Sequence, residues 1–103
     1  MARIAVTEAE SAVLAALWRL GPLSAASLIE EVKAGNPWGD ATIKTLLHRL
    51  MQKGAVKSEK ADGRQLYHPQ IDRQTYVDGE VQTLVDRLFG GDRAALAAHL
   101  TER

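Results

Sequence analysis

With 103 residues, 46% hydrophobic and 25% charged, the chain has an ordinary globular composition and room for one core or a small core with an appendage, which excludes a disordered tail, a fibre and most multidomain enzymes. It contains no cysteine, so disulfide frameworks, thiolate metal sites and thiol nucleophiles are excluded, and no apolar run approaches the roughly 18 residues that span a bilayer. Charge balances overall but not locally: residues 1–32 hold two basic and four acidic side chains, residues 33–64 seven and three, residues 65–103 four and six. A basic middle inside a neutral protein suits a nucleic-acid surface.

The opening residues, Met1 to Val6, lack the long apolar stretch of a secretion signal, so a cytoplasmic protein is expected. Thr7-Glu8-Ala9-Glu10 is a capping box, predicting a first helix that carries Val13, Leu14, Leu17 and Trp18 on one stripe and stops at Gly21-Pro22. Ser24 caps a second helix with Leu28, Ile29 and Val32 on its apolar side and Gly35 at its end. Asp40 is placed to cap or open a third helix over about 41–53, ending at Gly54. Here Ile43, Leu46, Leu47, Leu50 and Met51 fall within one apolar arc, while Ala41, Thr45, His48 and Gln52 point the other way, flanked by Thr42, Lys44 and Arg49.

Two strand-like stretches follow, Ala55 to Lys60 and Arg64 to His68, around Asp62-Gly63, a strong hairpin signal. Asp72 caps a fourth helix of about seventeen residues, with Val77, Val81, Leu84, Val85 and Leu88 forming a stripe and Gly90-Gly91 breaking it. Asp92 caps a short last helix on which Leu96 and Leu100 recur.

Three helices and a hairpin define the fold class expected here: mostly α with a small β-hairpin wing, a winged helix-turn-helix domain over residues 1–70 followed by a helical dimerisation segment over 71–103. In that arrangement the third helix enters a major groove and the wing touches the DNA backbone. Thr45 and His48 can bond base edges, Lys44 and Arg49 can reach guanine acceptors or phosphates, and the short side chains of Ala41 and Thr42 allow close approach. Phosphate contacts are expected from Lys60 and Arg64 on the wing and from the amides near Ser24. The C-terminal helices are too small to bury a core alone, so pairing with a second copy is expected, through Tyr76, Val77, Val81, Leu84, Val85, Leu88, Phe89, Leu96 and Leu100. Two-fold symmetry would demand a palindromic operator.

The blocks Trp38-Gly39-Asp40-Ala41-Thr42-Ile43-Lys44-Thr45-Leu46-Leu47-His48-Arg49-Leu50 with Lys53-Gly54, and Arg87-Leu88-Phe89-Gly90-Gly91, are the most specific parts of a pattern that also includes Thr7-Glu8-Ala9-Glu10, Leu17-Trp18, Gly21-Pro22-Leu23 and Tyr67-His68-Pro69. Over nearly its whole length the chain resembles the BlaI/MecI/CopY family of bacterial transcriptional repressors. The resemblance implies a homodimeric repressor of operator palindromes of the TACA/TGTA type, with the positions of Lys44 and Thr45 reading bases and a sensor protease as a further partner in the β-lactam branch. Where many relatives have Ser-Pro-Lys, this chain has Gly39-Asp40-Ala41, which removes one basic contact. Ala98-His99 stands where the β-lactam branch is cleaved at an Asn-Phe bond, and the cysteine-rich motif of the copper branch is missing.

Enzymatic chemistry is not expected, because His48, His68 and His99 lie on different elements without a supporting motif, and their spacing fits no local metal site. No cofactor is expected either. Trp18 and Trp38 are read as core residues rather than base-stacking ones. The competing function is a dimeric winged-helix module that binds protein instead of DNA.

Overall fold

The computed structural model describes residues 4–102; the expected absence of a secretion signal in Met1 to Val6 rests in part on Met1 to Arg3, which lie outside them. Among the described residues, four of the five helices begin where an oxygen-bearing side chain accepts an amide of the first turn. Helix α1 (Glu8–Leu20) opens with the full capping box: the Glu10 amide donates to the Thr7 hydroxyl at 3.1 Å and the Thr7 amide to the Glu10 carboxylate at 2.9 Å. Ser24 caps α2 (Ala25–Gly35) by accepting from the Ser27 amide. Asp72 caps α4 (Arg73–Phe89) through the Thr75 amide, and Asp92 caps α5 (Arg93–Thr101) through the amides of Ala94 and Ala95. Gly90 ends α4 in the left-handed region, at φ 58°, where a side chain would be strained.

Helix α3 (Asp40–Gln52) takes the second of the two places expected for Asp40, which opens the helix rather than capping it. Gly39 is the N-cap and makes no side-chain cap bond, and Asp40 is the first residue of the helix. Its carboxylate is turned away from the helix amides to Lys33 of α2, at 2.8 Å. Strand β1 covers Val56–Ala61, one residue later than expected, and β2 covers Arg64–Pro69, starting as expected and running one residue further. They pair antiparallel from Val56↔Pro69 to Ala61↔Arg64, leaving Asp62-Gly63 as a two-residue turn. Both turn residues have positive φ, 52° and 76°, the mirror-image turn whose twist suits a hairpin.

The core of the first compact unit, which ends at Ile71, is built by α1, α2, α3 and the base of the hairpin. Val13, Leu14 and Leu17 of α1, Leu28 and Val32 of α2, and Ile43, Leu46, Leu47 and Leu50 of α3 are buried together with Ala55 and Val56. Trp18 and Trp38 are half-buried against this cluster, in keeping with core roles, and the Trp18 indole donates to the Ile71 carbonyl at 2.8 Å. Leu23, in the turn between α1 and α2, exchanges two backbone hydrogen bonds with Tyr67, at 2.8 and 3.3 Å, so the turn is pinned to the wing. Three helices closed by a hairpin in this way form a winged helix.

The second unit runs from Asp72 and consists of α4 packed on α5. Arg93 of α5 donates twice to the Gln82 side chain of α4, at 2.7 and 2.9 Å. Among the described residues no helix is long and apolar enough to cross a membrane.

Candidate nucleic-acid interface

The apolar arc of α3 is consumed by the core, which forces the opposite side of the helix outward. Ala41, Thr42, Lys44, Thr45, His48 and Arg49 are all exposed, and Ala41, Lys44, Thr45 and His48 recur at three- and four-residue spacing on one face. The Thr45 hydroxyl donates to the Ala41 carbonyl at 3.0 Å. With its proton committed to the helix, that oxygen presents lone pairs outward, and the Thr45 methyl is left to contact an apolar group.

The basic residues of the middle of the chain divide into two sets. Lys33 is paired with Asp40, Lys53 with Glu10 and Lys57 with Glu59. Lys44, Arg49, Lys60 and Arg64 make no salt bridge among the described residues, so their charges are available to an external anion. Lys60 and Arg64 flank the Asp62-Gly63 turn, but the register places them on opposite faces of the ribbon: Lys60 lies opposite Gln65, and Arg64 opposite Ala61. Ser24 is half-buried and uses its hydroxyl to cap α2, so an anion there would meet the remaining first-turn amides rather than the Ser24 side chain.

Lys33 and Asp40 join α2 to the start of α3 with both side chains at the surface. The hydrogen bond between them holds the Asp40 carboxyl below, and the Lys33 ammonium above, their ordinary values, so the pair stays ionised near neutrality. Sequence reasoning placed Asp40 at the start of α3, as cap or first residue, and missed this link, which no pattern within either helix marks.

In the second unit the expected apolar stripe divides. Val85 is completely buried within the single chain. Leu88 and Leu100 are 60% and 64% exposed, and Tyr76, Val77, Val81, Leu84, Phe89 and Leu96 are half-buried. His48, His68 and His99 stand on α3, β2 and α5, and the His99 ring lies 6.0 Å from that of Phe89.

A winged helix whose third helix offers an exposed polar face flanked by unpaired cations defines a class of proteins built to meet an anionic, grooved surface. Within that class the chain belongs to the penicillinase repressor family, whose model matches residues 6–103. It is 26% identical to the penicillinase repressor of Bacillus licheniformis over 97 residues, spanning 94% of this chain and 76% of that one. It is also 31% identical over 98 residues to a 16.5 kDa protein of Latilactobacillus sakei, covering 95% of this chain and 67% of that one. The solution structure of the Bacillus licheniformis repressor BlaI in its monomeric form, in complex with the blaP half-operator, superposes with a TM-score of 0.66 at 31% identity, covering 74% of this chain and 94% of that one.

Proposed function

We propose that the protein is a homodimeric, cytoplasmic transcriptional repressor that binds a palindromic operator through α3 and the basic wing. The observation that carries this is the exposed face of α3 with Lys44 and Arg49 beside it and Lys60 and Arg64 on the wing, none held by a carboxylate of the described chain. Family membership, with a relative solved on its half-operator, supports the same docking. Ala41, Thr42, Lys44, Thr45 and His48 then face base edges, while Arg49, Lys60, Arg64 and the amides after Ser24 meet phosphates. The second unit supplies the pairing surface, and two copies set their α3 helices in successive major grooves, about 34 Å apart.

Binding to promoter duplexes as a function of salt tests the function. Affinity is expected to fall about a thousand-fold or more between about 50 and about 200 mM salt. Lys44→Ala and Thr45→Ala should relax sequence preference, whereas Lys60→Ala and Arg64→Ala should weaken all duplexes alike. Salt-independent binding, or none to any promoter fragment, would favour the protein-binding module instead.

A further inference from the structure

We infer that Asp40 is a specificity-determining residue that selects a cytosine within each operator half-site, its carboxylate accepting a hydrogen bond from the exocyclic amino group of that base. The inference rests on the docking of α3 proposed above and adds to it the one acidic side chain at the reading end of the helix.

Three observations converge on Asp40. It is the first residue of α3, and in helix-turn-helix docking the N-terminal residues of the recognition helix approach the base edges. It stands four residues before Lys44, on the same exposed side of the helix, and its side chain is 60% exposed. One carboxylate oxygen, Oδ1, is held by Lys33 at 2.8 Å, while Oδ2 has no hydrogen-bond partner among the described residues and keeps its lone pairs for an incoming donor.

A carboxylate at that place would ordinarily repel the phosphates on either side of the groove. Lys33 reduces that penalty, because its ammonium, delivered from α2, bonds Oδ1 and makes the pair neutral as a unit. Accepting is all an ionised carboxylate can do, and in the major groove the cytosine amino group is a pure donor, whereas guanine offers acceptors only and repels it. Asp40 therefore favours cytosine and disfavours guanine at one position, in contrast to Lys44, which favours guanine acceptors.

Selection of duplexes randomised across the half-site, by the full chain and by Asp40→Ala, tests this. The exposed position should tolerate alanine, with the far-UV spectrum unchanged. The wild-type chain is expected to enrich cytosine roughly ten-fold at one position per half-site, and Asp40→Ala to lose that enrichment while keeping its other preferences. Identical base preferences in the two proteins would overturn the role of Asp40 and leave the docking of α3 intact. Enrichment of no sequence by the wild-type chain would overturn both.

Discussion

The Lys53 ammonium donates at 2.5 Å to the carboxylate of Glu10, a side chain only 1% exposed, and so ties the C-cap of α3 to the first turn of α1. The same ammonium donates to the Ala5 carbonyl at 2.8 Å. Burial pulls the Glu10 pKa upward, but the hydrogen bond from Lys53, the Thr7 amide and the Lys53 charge outweigh it, and the net displacement from the ordinary value is downward. Its other oxygen, Oε2, is buried without a partner, so the carboxylate depends on the bonds made through Oε1.

Removing one partner should therefore cost more than the exposed position of Lys53 suggests. Lys53→Met leaves the buried carboxylate uncompensated and is expected to lower stability by about 2 kcal/mol, less than for a fully buried pair because the Lys53 side chain is 32% exposed. The pH dependence has a definite sign. Because the folded-state pKa is depressed, the contribution of Glu10 is present above its ordinary value of 4.5 and is lost as pH falls through the lower folded-state value. Urea unfolding should show the gap between wild type and Lys53→Met narrowing as pH drops from about 6 to about 3. An unchanged midpoint in the variant at neutral pH would show that the link contributes nothing.

The wing turn is constrained by backbone conformation rather than by space. A Cβ added at Gly63 meets nothing within 4 Å, yet its φ is 76°. Gly63→Ala is therefore expected to cost about 1 kcal/mol through strain alone. Thermal unfolding with retained α3 helicity would show this, and equal or greater stability of the variant would contradict the left-handed assignment.

Pairing of two copies has its own test in the second unit. Leu88→Asp with Leu100→Asp alters two side chains that are mostly exposed in the single chain, so helix content should be preserved while apolar area needed by a partner is lost. Sedimentation should shift the pair of variants from dimer to monomer. A dimer mass that survives both substitutions would place the interface elsewhere.

How much of this was legible beforehand follows from the range of each interaction. The caps at Thr7, Ser24, Asp72 and Asp92 and the Asp62-Gly63 turn are set by residues within three positions of one another, and all five are recognisable from residue type and spacing. The division of α3 into a buried arc and an exposed face likewise follows from its period, since a helix with Ile43, Leu46, Leu47 and Leu50 on one side has only one way to enter a core. Three features depended on the fold. Glu10 reads locally as half of a capping box, and only the packing of α1 against α3 brings Lys53 to it from 43 residues away. Leu23 reads as the end of a turn until Tyr67 arrives beside it. Asp40 suits the cap or the first helical residue by type and place, and what its carboxylate bonds is decided by the Lys33 ammonium, which the crossing of α2 and α3 delivers as a stronger partner than an amide. The amino-acid sequence by itself thus determined the elements, their order and the exposed side of α3, because these arise from bonds and periodicities along the chain. Tertiary structure alone decided which charges are neutralised within the chain and which are left unpaired at its surface, because an ion pair depends on distance in space.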